Sequence, residues 1–219
     1  MKRLGPWLTL AAVAVLGIVL LVVNMSKETE PAAVPKSAEV TTGVVATSRV
    51  PAPTTAAPPL RFPPKADYVG TIPPATGAPI TVSITVAGDK ATAYACDGSK
   101  VESWLQGSAA GGALQLSGKN DAELNGRYDG RVVAGTLWLG EKKWEFSAAP
   151  VQSPAGLYVY NEGGSRQSWI VDANGTVTGV QRAPDGSTSP APGLSPDATA
   201  IVNGKQITAN KVSGGDSVG

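Results

Sequence analysis

Four tryptophans are the residues of this sequence most suited to contact a ligand, because large aromatic residues are otherwise scarce in the chain. They are Trp104, Trp138, Trp144 and Trp169. Aromatic rings at the mouth of a barrel stack on sugars or hold an apolar ligand. The same rings also fill the cores of domains rich in small residues, and the sequence favours this second interpretation. As candidate contacts with a ligand or partner, the sequence indicates Trp104, Trp138 and Trp169.

Carboxylates offer a second candidate chemistry. Asp121 and Glu123 lie two residues apart, and Asp97 and Asp129 each precede a glycine. Two carboxylates that face each other across a cleft hydrolyse glycosidic bonds. An Asp-Gly pair is more typical of a tight turn, because Asp bonds its own backbone and Gly supplies positive φ. The sequence therefore favours turns over a catalytic pair.

Other reaction classes are disfavoured by residue types that the sequence lacks. It contains no histidine, which removes the commonest general base, the Ser-His and Cys-His pairs and most zinc sites. Serine-hydrolase, phosphate-loop and calcium-loop motifs are also missing from the sequence. A net charge of +1 argues against nucleic acid as a partner. We therefore expect a protein with no catalytic residues, no cofactor and no metal.

The single cysteine, Cys96, allows no disulfide within the chain. Two interpretations stay open: a buried small hydrophobe, which is favoured, or a disulfide between two chains.

An apolar N-terminal run predicts where the protein is located. Residues 4–23 are 20 residues without a charge and follow Lys2 and Arg3, which is the length of a membrane-spanning helix. A cleavable signal peptide is the alternative, but its apolar core is shorter and ends in a small-x-small site that is missing here. The charges predict a cytoplasmic N-terminus, with residues 24–219 on the extracytoplasmic side of the cell membrane.

Composition divides the chain into four parts. Residues 1–25 are the cytoplasmic stub and anchor, and residues 26–66 form a linker rich in Pro, Ala and Thr, which we expect to be disordered. Residues 67–210 form a β domain, and residues 211–219 form a disordered tail.

Alternating apolar and polar residues predict the strands of the β domain. Ile80–Val86 alternates most clearly, and Asn174-Gly175 predicts a tight hairpin between two later strands. Turn signals recur every 8–12 residues, which is typical of an antiparallel meander. We predict an all-β fold in which the meander closes into a small barrel; the alternative is a two-sheet sandwich. Further predicted strands are residues 91–96, 100–106, 113–117, 122–128, 131–139, 143–148, 156–160, 168–172, 176–182, 199–202 and 205–209.

Several segments carry a resemblance to a known class of protein. They are Tyr94-Ala95-Cys96-Asp97-Gly98, Trp104-Leu105-Gln106-Gly107, Pro154-Ala155-Gly156-Leu157-Tyr158 and Trp169-Ile170-Val171. Together with the anchor and stalk, they resemble uncharacterised single-span envelope proteins of high-GC Gram-positive bacteria, of the actinobacterial type. This resemblance implies a location and an architecture but no activity.

Two functional hypotheses follow. The first is a membrane-anchored, non-catalytic envelope module that acts as a scaffold, accessory subunit or partner-binding domain. The alternative is a carrier or sensor whose barrel encloses a lipid or another apolar ligand.

Overall fold

The computed structural model describes residues 60–74 and 77–217, and the fold within them is all-β. The candidate anchor at residues 4–23 and most of the linker lie outside these residues. No helix long and apolar enough to cross a bilayer occurs in the part of the chain that is described.

Eight consecutive strands form a closed antiparallel barrel in chain order. Strand β8 closes the barrel on β1 through the pairs Asp67–Val151 and Val69–Ala149. The predicted meander and barrel are therefore confirmed. The strands are β1 (Lys65–Ile72), β2 (Ile80–Ala87), β3 (Lys90–Cys96), β4 (Glu102–Ala110), β5 (Ala113–Gly118), β6 (Glu123–Tyr128), β7 (Val133–Leu139) and β8 (Lys142–Val151).

The interior of the barrel is packed with aliphatic and aromatic side chains. Gly126 and Gly135 face each other across β6 and β7, and Phe146 is the next residue in this row, on β8. A Cβ on Gly135 would lie 2.0 Å from the Asn125 carbonyl oxygen, so the two strands approach this closely only with glycine there. Fully buried interior residues include Val82, Ile84, Ala93, Leu105, Leu114, Leu124, Val133, Leu137 and Ala148.

The end of the predicted disordered linker, residues 60–66, is ordered, because residues 60–64 cover one end of the barrel and residues 65–66 begin β1. The Phe62 ring stacks on Tyr128 with a centroid distance of 5.1 Å, and Tyr68 meets Tyr128 edge-on at 5.9 Å. The Gly88 N–H donates to the Pro64 carbonyl at 2.7 Å. The chain therefore enters the barrel at the end that carries the β2–β3 turn.

The remaining strands form two further sheets. A five-stranded sheet has the order β12-β11-β10-β9-β15, and β13 and β14 form a separate hairpin. One face of the larger sheet packs through Trp169 on this hairpin, against Ala200, Val202 and Ile207. The strands are β9 (Gly156–Glu162), β10 (Ser165–Val171), β11 (Val177–Arg182), β12 (Thr188–Pro190), β13 (Thr199–Val202), β14 (Lys205–Thr208) and β15 (Asn210–Lys211).

The turn between β10 and β11 is a tight hairpin of three residues, at the place that the sequence predicts. The Asp172 N–H donates to the Thr176 carbonyl at 3.0 Å, so three residues lie between them. The Asp172 carboxylate accepts from the backbone N–H groups of Asn174 and Thr176 at 2.8 Å, and Gly175 takes a positive φ of 80°. A two-residue turn would shift the strand register by one and reverse which face each β11 side chain occupies.

The C-terminal segment differs from the prediction of a disordered tail over residues 211–219. Residues 211–217, which the structure describes, are ordered on the surface of the domain. Lys211 pairs with β9, and the next residues cross the outer surface of β2 and β3. The Thr85 and Thr92 hydroxyls donate to the carbonyls of Val212 (3.4 Å) and Gly214 (3.3 Å). A Cβ on Gly214 would lie 2.6 Å from the Ala87 nitrogen. Buried threonines of the barrel thus hold this segment in place. The segment itself consists mainly of small and polar residues, so its own sequence does not indicate that it is ordered.

Candidate functional site

The barrel and the five-stranded sheet pack together through an interface that we call the seam. It joins the outer surface of β1–β4 to one face of the sheet. Burial raises the pKa of the Cys96 thiol to about 12, so the thiol packs as a neutral group. The buried apolar residues of the seam are Val69, Tyr94, Cys96, Leu157, Val159, Ile170, Val180 and Val212.

A buried carboxylate, Glu102, lies at one edge of the seam with its side chain only 1 % exposed. Its Oε1 accepts from Arg166 Nη2 at 3.2 Å and from Arg182 Nε. Its Oε2 accepts from the Tyr94 hydroxyl at 3.0 Å. Hydrogen bonds to ionised groups are among the stronger ones in proteins. Glu102 therefore ties barrel strand β4 to strands β10 and β11.

The Tyr94 hydroxyl stays protonated in this network. Burial, followed by the neighbouring Cys96 thiol and Glu102 carboxylate, raises the pKa of Tyr94 far above its ordinary value. Glu102 therefore faces a permanent donor as well as two guanidinium groups.

Arg166 and Arg182 lie directly opposite each other on β10 and β11. Like charges in this position repel, and Glu102 lies between them and compensates one of the two. The pair depends on the three-residue turn described above. The register of a two-residue turn would instead place Arg182 opposite Gln167.

Trp104 packs beside this cluster. Its ring centroid lies 4.6 Å from that of Tyr94, and the Arg166 guanidinium lies 5.4 Å from the ring. A cation over an indole is attracted by the ring quadrupole. The Trp104 Nε1 and Arg166 Nε atoms are buried and have no hydrogen-bond acceptor within the described residues. Buried donors of this kind are rare and call for an explanation.

A groove of about 430 Å³, which we call the seam groove, opens next to Trp104. This volume lies within the range of ligand sites, about 300–1,000 Å³. Three cationic residues line it, against one carboxylate that is already bonded. The lining residues are Glu102, Ser103, Trp104, Gln106, Ser117, Gly118, Lys119, Asn120, Arg166 and Arg182.

A second hollow of about 350 Å³, which we call the turn hollow, lies on the other side of the arginine pair. It is lined by residues 161–165, which are the β9–β10 turn with the adjoining strand ends, and again by Arg166 and Arg182. Its carboxylate, Glu162, pairs with Lys205 at 3.3 Å, which lowers the pKa of Glu162. The two hollows thus share a cationic wall.

The three tryptophans predicted as contacts lie on three different surfaces. Trp104 lines the seam groove. Trp138 lies on the outer surface of β7, where the Lys143 ammonium is 5.8 Å from its ring. Trp169 is fully buried on the other face of the sheet, and its Nε1 donates to the Pro192 carbonyl at 2.7 Å. The structure therefore places one of the three in a groove and does not bring them together.

The aspartates that precede glycines act in turns, as the sequence favours. The Asp97 carboxylate accepts from the backbone N–H groups of Ser99, Lys100 and Val101 at 2.8–2.9 Å. Burial opposes its ionisation, but these donors outweigh it and lower the pKa of Asp97. The Asp129 carboxylate accepts from the N–H groups of Arg131 and Val132, both at 2.8 Å.

Sequence reasoning missed Glu102, Arg166 and Arg182. Glu102 lies 64 residues from Arg166 and 80 residues from Arg182, so no local pattern joins them. A signal was available in the register of β10 and β11, since two arginines placed opposite each other require a counter-charge. The predicted strand at residues 168–172 begins after Arg166, whereas β10 begins at Ser165, so the sequence analysis did not pair the two arginines.

No protein-family model, curated protein or solved structure matches this chain. Among residues 60–74 and 77–217, no group of three or more cysteine, aspartate or glutamate side chains is arranged to hold a metal ion.

Proposed function

We propose that this protein is a membrane-anchored, non-catalytic module of the cell envelope that binds a partner protein through the seam groove. The apolar run at residues 4–23 would hold it in the membrane, and the Pro-rich segment between this run and residue 60 would place the β domain outside. The groove carries the proposal: it has the volume of a ligand site, and three cationic residues line it against one carboxylate.

The position of the groove on the barrel supports this assignment. The chain from the linker enters at the end where Pro64 contacts Gly88. Lys119 and Asn120, which line the groove, belong to the β5–β6 turn at the opposite end of the barrel. A partner would thus meet the groove on the end of the barrel farther from the linker.

The alternative function, a carrier or sensor of an apolar ligand, has less support. Side chains from the barrel strands fill the interior where such a ligand would lie. The seam groove lies between the outer surface of the barrel and the five-stranded sheet, and the turn hollow lies on that sheet; both carry charged residues, which suit a polar partner.

Two tryptophan substitutions on one strand test the proposal. Ser117 and Gln115 both lie exposed on the outer face of β5, but only Ser117 lines the seam groove. Ser117→Trp should fill the groove, whereas Gln115→Trp adds the same surface outside it. The tagged full-length chain would be purified from detergent-solubilised native membranes in both forms.

We expect a stoichiometric partner to co-purify with the wild type and with Gln115→Trp, and to be lost with Ser117→Trp. Thermal unfolding of the three proteins would verify that both variants remain folded. A partner retained equally by both variants, or no stoichiometric partner with the wild type, would overturn the proposal.

A further inference from the structure

The seam groove has an excess of positive charge that the rest of the molecule does not share. Lys119, Arg166 and Arg182 line it against the single carboxylate of Glu102, whereas the whole chain has a net charge of +1. Lys119 is exposed and forms no ion pair within the described residues. The groove therefore attracts anions locally, and general charge attraction by the whole protein contributes little.

The donors in the groove are suited to carboxylates. A guanidinium group presents a planar set of N–H donors that matches the two oxygens of a carboxylate. Glu102 occupies Arg166 Nη2 and Arg182 Nε, and Gly186 occupies Arg182 Nη1. Arg166 Nη1 and Arg182 Nη2 form no hydrogen bond within the described residues, and the two side chains are 20 % and 39 % exposed. Part of each guanidinium therefore remains available to a second anion.

Trp104 is not placed to bind a sugar ring by stacking. Tyr94 and the Arg166 guanidinium both pack against its indole. An acidic oligosaccharide would thus find charge in the groove but an indole that already contacts two side chains. This arrangement favours an anion carried on a peptide.

The shape of the site also suits an extended chain. The seam groove and the turn hollow adjoin the same two arginines, one on each side. A peptide that crosses this wall would place acidic side chains over Arg166 and Arg182 and reach Lys119 at one end. Backbone groups of the glycine-containing turn at residues 161–165 line the other end.

We infer that the seam groove binds an acidic peptide segment of the partner, with Arg166, Arg182 and Lys119 as the residues that recognise its carboxylates. The inference rests on the proposed function and specifies the chemistry of the partner. Arg166 and Arg182 also hold Glu102, so Lys119 is the better residue to substitute.

The test uses the full-length protein in detergent with fluorescein-labelled peptides of six glutamates or six glutamines, followed by fluorescence anisotropy. We expect the glutamate peptide to bind at least about tenfold more tightly, since it contributes several charge-assisted contacts. Lys119→Gln should weaken its binding about threefold, which is the effect of one exposed ion pair. Lys143→Gln, the same charge change on the outer surface of β8, should change it by less than about 1.5-fold.

Three results would overturn the inference. They are equal binding of the two peptides, equal effects of Lys119→Gln and Lys143→Gln, and stronger binding of a labelled polyuronate oligosaccharide of equal charge. The proposed function is tested separately by the tryptophan variants. If Ser117→Trp loses the partner but the glutamate peptide does not bind, partner binding stands and the acidic-peptide inference fails.

Discussion

The barrel interior and the seam are both buried, yet they are built from different residue types. The interior contains aliphatic and aromatic side chains with glycines where strands approach closely. The seam combines apolar residues with buried hydroxyls and with the carboxylate of Glu102. Its buried hydroxyl-bearing residues are Thr81, Ser83, Thr85, Thr92 and Ser168.

The two regions therefore contribute to the fold in different ways. Apolar packing in the interior depends on volume and tolerates many combinations of side chains. Buried polar groups are costly unless their partners are in place. Thr81, Thr85 and Thr92 bond to residues of the sheet or the C-terminal segment, so these threonines hold both in one arrangement. The charged edge of the seam then opens into the groove. We therefore expect interior substitutions to change stability alone and seam substitutions to change both stability and binding.

The largest effect is expected in the interior. Leu124 is fully buried there, and Leu124→Ala removes apolar contacts and leaves a cavity. We expect it to lower the free energy of unfolding by about 4 kcal/mol, measured by urea denaturation. Binding of the glutamate peptide below the unfolding transition should remain unchanged. A large loss of affinity would show that the interior and the groove are coupled.

A somewhat smaller loss of stability is expected when Glu102 is replaced. The substitution also removes the one carboxylate that lines the seam groove. Glu102→Ala leaves two guanidiniums and the Tyr94 hydroxyl without their acceptor, but Arg182 remains 39 % exposed. We expect a loss of about 3 kcal/mol, toward the lower end for a broken buried ion pair. Glu145→Ala is the matched control: this carboxylate is exposed and pairs with Lys143, so it should cost less than about 1 kcal/mol. Equal losses would contradict the buried network.

The Cys96 thiol predicts a pH dependence of stability. Its pKa is raised from 9.0 to about 12 by burial, so above pH 9 the unfolded chain loses a proton that the folded chain retains. The contribution is fully present below pH 9 and is lost as the pH rises toward 12. Between pH 8 and pH 10, the wild type should lose about 1.4 kcal/mol more than Cys96→Ala. Parallel curves in urea denaturation would contradict the buried, neutral thiol.

The smallest effect is expected on the outer surface of β7. Trp138 lies there beside Lys143, away from the seam groove. Trp138→Ala should lower the free energy of unfolding by less than about 1 kcal/mol, since it removes one exposed cation–π contact. It should leave partner capture and peptide affinity unchanged. Loss of the partner would move the recognition surface to this side of the barrel.

The barrel strands could be predicted because alternation is clear where one face meets the interior. Ile80, Val82, Ile84 and Val86 point inward in β2, and the intervening threonines and serine face the seam. Strand β1 was not predicted as a strand. Two adjacent residues of this strand are both buried, Tyr68 in the barrel interior and Val69 in the seam. The alternation of apolar and polar residues is therefore lost.

The candidate site could not be predicted to the same extent. Trp104 was selected because of its residue type, but its neighbours depend on the docking of a second sheet that periodicity alone does not reveal. The Arg166–Arg182 pair depends on β10 beginning at Ser165, three residues before the predicted strand at residues 168–172. The ordered C-terminal segment depends on Thr85 and Thr92, more than 100 residues earlier in the chain.

Hydrogen exchange tests most directly whether recognition takes place at the seam groove. Amides of the full-length protein would be compared with and without a saturating glutamate peptide. We predict slower exchange in the turns at residues 118–122 and 161–165, which border the two hollows, and no change in the turn at residues 140–141. Unchanged exchange in the first two turns, or protection confined to β6–β8, would contradict a recognition site at the seam groove.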